Sequence, residues 1–303
     1  MTQSLESMRR RIVAAEDLYA VVRVMKALAA ANVRQNEAAV ESLAEYKRTV
    51  EEGLQIVLRN RPEGLAVEPS TGQRVALIVF GSDQGMCGAF NEQVADFALK
   101  QADALAEAPA DRTVLAVGAR VVGRLEDAGQ AVGGRFPMPS TVSGVTQAVH
   151  GVLLEIEALR FRDGIDRFVL VHHRPVAPAG SRPRALQILP LDGAWLGRLA
   201  ARPWDSRTLP AFTMDWHQLF SSLVRQHLFV ALYRAFAESL ASENASRLAS
   251  MQAAEKNIQD HLGRLALDYH QNRQQSITEE LLDIVAGFET LTADSLQRIR
   301  AAT

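Results

Sequence analysis

The residues with the richest chemistry in this chain sit in one loop, GSDQGMCGAFN at residues 81–91. It holds a carboxylate (Asp83), a thiol (Cys87) and three glycines, between a short β-branched run and a helical pattern. Open α/β sheets place ligand sites at such strand-to-helix turns. The loop matches neither GxGxxG nor GxxxxGK followed by Ser or Thr, and it has no lysine to meet a phosphate. A nucleophilic Cys87 would need a histidine base and an orienting group. The adjacent imidazoles His172 and His173 fall on an expected strand, where neighbouring residues point to opposite faces, which argues against joint metal ligation. No spacing ties either of them to the loop. The favoured reading is a tight turn around a small buried thiol. The remaining carboxylates show no acid–base spacing, and most belong to solvated helix faces.

The elements that must carry this loop form a small α/β domain over residues 74–192. RVALIVF (74–80), RTVLAVGA (112–119), DRFVLVHH (166–173) and RALQILP (184–190) read as strands, with helical patterns at about 91–108 and 145–162. Strand–helix alternation predicts a mostly parallel sheet. Arg61 to Gly72 and Pro175 to Pro183 are rich in Pro and Gly and read as loops.

Both ends of the chain read as rods. No Gly or Pro occurs before Gly53. Counting in sevens gives Leu5, Ile12, Tyr19, Lys26, Val33, Val40, Lys47 and Leu54, with Met8, Ala15, Val22, Ala29, Asn36, Leu43, Val50 and Val57 as companions. Thirteen of these sixteen positions are apolar, a sustained coiled-coil seam over residues 1–60. At ~1.5 Å per residue such a helix is about 80 Å long. After Pro210 the seam resumes as Leu223, Val230, Ala237, Asn244, Met251, Ile258 and Leu265, in a rod over 210–295. Its companion drifts by one residue from Tyr233 and Leu240 to Leu248, Leu262 and Tyr269, as when a seam turns around a helix. Two long single seams in one chain satisfy each other as an antiparallel pair. The expected fold is therefore a long antiparallel coiled coil of the two terminal helices, with the α/β domain inserted between them.

Composition narrows the function classes. The chain has 303 residues and a net charge of −2, and its only tight basic cluster is Arg9-Arg10-Arg11. That balance gives no footprint for nucleic acid. The single cysteine rules out an intrachain disulfide. No apolar run reaches the roughly 18 to 20 residues that span a bilayer, and the start of the chain is amphipathic, unlike a signal peptide. Direct membrane insertion is not expected.

Three separated motifs carry a family resemblance. SLESMRRRI (4–12) leads into MKALAAANVR (25–34). SDQGMCGAFN (82–91) is similar to an SDRGLCGGLN-type loop. LASENASRLASMQAAEKN (240–257) is followed by RQQSITEELLDIVAGFE (273–289). In this order they resemble the gamma subunit of F-type ATP synthases, the central rotor shaft. The resemblance implies a non-catalytic subunit that binds no cofactor of its own. It would turn inside alternating alpha- and beta-type nucleotide-binding stator subunits. At its foot it would meet a small epsilon-type subunit and a membrane proteolipid ring. It would be held through the complex on the cytoplasmic face of the bacterial inner membrane, with the coupling ion, proton or sodium, chosen by the ring.

Within that resemblance, Ala27 to Ala31 supply a thin, smooth helix, since any strong directional contact inside a sleeve would trap one rotation angle. Met25 and Lys26 stand at the border facing the sleeve; for Lys26 the alternative is a seam residue whose stem packs while its ammonium reaches solvent. Arg273, Gln274 and Thr278 match positions that form a polar catch with the catalytic stator subunits. Plain exposure, with Ser276 or Thr278 bonding back to the helix, is the alternative. Ile277, Leu281, Ile284 and Phe288 would form an apolar tip in an upper bearing. Ungapped extrapolation puts the foot contact at Thr213, with Asp215 as the acidic residue nearby. The family's polar NTQKITK-like stretch is here the more apolar DLYAVVRV (17–24), Met86 and Ala89 replace Leu and Gly, and a tail continues to Thr303. These departures mark a divergent branch of the kind represented by the alternative sodium-linked ATPases. Two rivals differ in class: an enzyme using the rods as a dimerisation handle, and a coiled-coil scaffold or tether with a non-catalytic docking domain.

Overall fold

The computed structural model describes residues 2–62, 74–106, 108–176, 180–204, 207–208 and 210–301, with the side chains of all these except 2–4, 109 and 289–301. The first residue of the expected N-terminal rod, most of the loop from Arg61 to Gly72, the centre of the 175–183 segment and the side chains of the tail beyond Phe288 lie outside the described residues.

Helix α1 spans Thr2–Arg59 without a break, as the absence of early Gly and Pro predicts. All sixteen seam positions named above are buried or half-buried. The helix ends where Asn60 bonds back through both its backbone and side-chain nitrogens to the Ile56 carbonyl, just before Pro62. Helix α6 spans Trp216–Ala301. Between them run β1 (Val75–Phe80), α2 (Phe90–Leu105), β2 (Arg112–Val117), α3 (Ala119–Asp127), β3 (Gly134–Phe136), α4 (Val142–Asp163), β4 (Arg167–Pro175), β5 (Ser181–Leu189) and α5 (Gly193–Ala201).

The chain divides into two compact units, one of residues 27–250 and one of the residues up to Lys26 with those from Met251 onward. In the first, five strands form one sheet in the order β3-β2-β1-β4-β5. β1 to β4 are parallel and β5 runs antiparallel at the edge. Every residue of the central β1 is buried, so its sequence is continuously apolar and does not alternate. Val75, Leu77 and Val79 pack on one face with α2 and α3. Ala76, Ile78 and Phe80 pack on the other with α4 and with Leu228, Leu232, Phe236 and Leu240 of α6. Phe80 meets Phe236 edge to face at 4.9 Å. A smaller core joins Val50, Leu54 and Leu58 of α1 to Leu196 and Leu199 of α5.

Two short helices, α3 and α5, and the three-residue β3 escape sequence periodicity because each is under three turns or a few residues long. The expected loop over Pro175 to Pro183 is shorter than its composition suggests. β4 reaches Pro175, and β5 already begins at Ser181, with Pro183 paired opposite His173. A proline is tolerated there because β5 is an edge strand whose outer side needs no ladder donor.

Candidate functional site

The second unit is a two-helix antiparallel pair. Across it, Gln259 donates to the Tyr19 hydroxyl at 2.7 Å, Asn272 donates to the Met8 sulfur at 3.6 Å, and Lys26 pairs with Glu255. These contacts set the register, which brings the start of α1 opposite about Thr278. Lys26 is thus half-buried on the seam with its ammonium held by the facing helix; Met25 beside it is half-buried. Arg273 and Gln274 are exposed, and Thr278 donates to the Gln274 carbonyl at 2.9 Å. Gln275 and Glu279 are bonded to each other at 3.1 Å on the same surface. Past this register the four-and-three apolar spacing faces outward: Ile277 is 48%, Leu281 58%, Ile284 68% and Phe288 70% exposed.

In the unit of residues 27–250, Ala29 is buried while Ala27 and Ala31 are exposed, and Leu28 between them is a large side chain 59% exposed. At the start of α6, Thr213 is exposed. Asp215 is exposed too, and its carboxylate accepts from the Gln218 backbone N–H at 3.1 Å, which caps the helix.

The 81–91 loop grips α6. Asn91 organises it from inside: its Oδ1 accepts from the Ser82 N–H at 3.0 Å and its Nδ2 donates to the Ser82 hydroxyl at 2.8 Å. Ser246 of α6 donates to the Cys87 carbonyl at 2.6 Å. Arg247 reaches the Gln84 carbonyl at 3.5 Å while paired to Glu243 one turn away. Burial pushes the Glu243 carboxyl up, against the pull of Arg247. Met86 takes a left-handed conformation at φ 61°, and Gly88 at φ 59° brings the loop backbone against Ser246 and Ser250. Asp83 sits at the hub of the turn, its two oxygens accepting from the Ala119 N–H at 2.8 Å and the Met138 N–H at 3.0 Å. It caps α3 from a different element.

Cys87 is buried, and burial raises its thiol pKa, which disfavours the thiolate. His173 does arrive near the loop, stacked on Phe90 at 4.2 Å, which no sequence spacing foretold. Its Nε2 donates to the Phe90 carbonyl at 2.9 Å and its Nδ1 accepts from the Ser181 hydroxyl at 3.2 Å. Both nitrogens are therefore occupied, and burial lowers the pKa to about 4. His172 points to the opposite face and donates to Glu238 at 3.0 Å, as strand alternation requires. Glu238 also accepts from Arg234 at 2.7 Å. Burial pushes Glu238 up, but the hydrogen bonds from His172 and Arg234 outweigh it and hold the carboxyl below its ordinary value.

A family model described as ATP synthase matches residues 4–291. The ATP synthase gamma chain of Trichormus variabilis is 30% identical over 95% of this chain and 99% of its own length. That of Polynucleobacter asymbioticus is 25% identical over 94% and 98%. The chain belongs to the ATP synthase gamma chain family. It is a central-stalk subunit of a rotary ATP synthase. A chain of the Euglena gracilis mitochondrial ATP synthase, in its OSCP/F1/c-ring assembly, shares the fold with a TM-score of 0.67 at 17% identity, covering 97% of each chain. No helix among the described residues is long and apolar enough to cross a membrane.

The loop's contacts with α6 are not readable from sequence spacing. Asp83, a bare carboxylate in the sequence, accepts from two backbone N–H groups of other elements. Ser246 and Arg247 were read only as motif letters, although a buried polar run (Glu238, Ser239, Ser242, Glu243, Asn244, Arg247) is itself a signal. Such a run within one helix requires partners from other elements.

Proposed function

We propose that this chain couples ion flow through a membrane proteolipid ring to nucleotide turnover in a surrounding stator of alpha- and beta-type subunits, by rotating within them. It carries no catalytic site and binds no cofactor. The ring meets its foot near Thr213 and Asp215, and an epsilon-type subunit docks on the same foot. The assembly sits on the cytoplasmic face of a bacterial inner membrane, with a proton or sodium ion selected by the ring. Nucleic acid is not among its partners.

The observation that carries this reading is the change of face along α6. Up to the start of α1 its apolar seam is turned inward, and from Ile277 to Phe288 the same spacing is turned outward. A cluster of large exposed apolar side chains on one helix end calls for a surrounding partner. The polar patch of Arg273, Gln274 and Thr278 immediately before it supports a transient catch on the catalytic stator subunits, and Met25 with the stem of Lys26 supports contact at the sleeve border. The inert chemistry of Cys87 and His173 supports the absence of catalysis.

Copurification of the tagged chain from native membranes is expected to bring down a six-membered nucleotide-binding assembly and a small proteolipid. Its recovery alone would overturn the reading. In the assembled complex, Arg273→Ala with Gln274→Ala is expected to lower ATP turnover by roughly ten-fold, as loss of about 1.4 kcal/mol would. Assembly yield should stay near wild type. Normal turnover in the double variant would remove the catch.

A further inference from the structure

A cavity of about 310 Å³ lies among β5, α5, α6 and the last turns of α1, and rotation gives it no role. Its volume is at the small end of sites for organic ligands, roughly 300–1,000 Å³. The apolar wall includes Leu186, Ile188 and Trp195. The Trp195 ring lies 4.8 Å from the His227 ring at 35°, and burial lowers the pKa of His227, so the pair presents a neutral aromatic surface.

The polar side is unbalanced. Each carboxylate lining the cavity faces its own cation: Glu51 has Lys47 at 3.4 Å, Asp192 has Arg198 at 3.7 Å and Glu238 has Arg234 at 2.7 Å. The fourth cation, Arg184, is half-buried on β5, and among the described residues its guanidinium has no acceptor. Directly across the strand pair stands His172. Directly opposed residues of an antiparallel pair share a face, so Arg184 and His172 line the cavity side by side. His172 is 1% exposed, its Nε2 is engaged by Glu238, and its Nδ1 is buried without a partner.

We propose that this cavity binds a small aromatic carboxylate. The carboxylate meets Arg184 in a two-pronged ion pair, and the ring lies on Trp195. An occupant would tie β5 to α6.

The test is calorimetric titration of the full chain with 4-hydroxybenzoate, for which a ligand of this size gives a dissociation constant on the order of 1 mM. Arg184→Gln is expected to weaken binding at least about ten-fold, Arg184→Lys to fall between, and Arg182→Gln, whose side chain does not line the cavity, to bind as wild type. The neutral 4-hydroxybenzamide should bind at least about ten-fold more weakly than the acid. Ligand should raise the thermal midpoint of the wild type and leave that of Arg184→Gln unmoved, which also shows that the variant folds. No heat up to about 10 mM, equal binding by Arg184→Gln, or equal binding of the amide would each overturn the proposal and leave a cavity that holds only water.

Discussion

Asp83 illustrates how a residue type can suggest chemistry and serve architecture. Its carboxylate holds two backbone N–H groups, of Ala119 and Met138, that would otherwise lack acceptors. Asp83→Ala is expected to cost about 2 kcal/mol in urea unfolding, with Asp83→Asn near half of that because one acceptor oxygen survives. An unchanged midpoint would show that water replaces the carboxylate. His173 governs the acid side of stability. The unfolded imidazole takes a proton near pH 6.5 and the folded one only near about 4. Between these values the unfolded chain binds more protons, so stability is complete above about pH 6.5 and falls as pH drops toward 4, by about 3 kcal/mol. Glu238, held below its ordinary value, adds loss in the same direction at still lower pH. Unfolding free energies from pH 7 to 4 should show this slope in the wild type and a flatter one in His173→Gln, whose amide can still donate to Phe90. Equal slopes would assign the loss elsewhere. Neither role was legible in the sequence, because Ala119, Met138 and Phe90 are distant along the chain from the residues they bond, and only Ser181 is near His173.

At the scale of elements, periodicity carried most of the information. The heptad seams of α1 and α6 appear at their expected positions as buried or half-buried side chains. Leu54, fully buried between α1 and α5, is expected to cost roughly 2–5 kcal/mol as Leu54→Ala. Leu281 obeys the same spacing but is 58% exposed. Leu281→Ala should therefore stay within about 0.5 kcal/mol in the isolated chain, measured by the same unfolding assay. A large loss there would mean that the outward face is packed in solution. The two leucines look alike in sequence because spacing reports which side of a helix is apolar and not whether a partner lies opposite. Only the register of Lys26 on Glu255 and Tyr19 on Gln259 shows where α1 begins. The edge strand β5 was shortened in the sequence reading by Pro183, since a proline inside a strand is admissible only when its missing donor faces outward. The short helices α3 and α5 depend on caps, Asp83 for the first and Asp192 for the second, and only the latter is adjacent in sequence.

For the whole chain, the helices that pair are the two ends of one molecule, so pairing is unimolecular. The thermal midpoint of the purified chain is expected to be independent of concentration over about two decades, whereas a tether that pairs between chains would shift with mass action. A concentration-dependent midpoint would show that the exposed apolar end of α6 self-associates or that the helices exchange partners. What the sequence determined by itself was the kind of object: two unbroken helices with apolar seams and an inserted, mostly parallel sheet. Those features follow from local rules, the 3.6-residue turn, the pleat and the turn residues, which act over a few neighbours. The tertiary structure decided which seam residues are covered, that Asp83 and Asn91 hold a turn by bonds to backbone groups, that Ser246 and Arg247 hold that turn to α6, and that Arg184 has no acceptor among the described residues. Each of these depends on groups far apart in the chain meeting at hydrogen-bond range, a distance that spacing along a sequence does not encode.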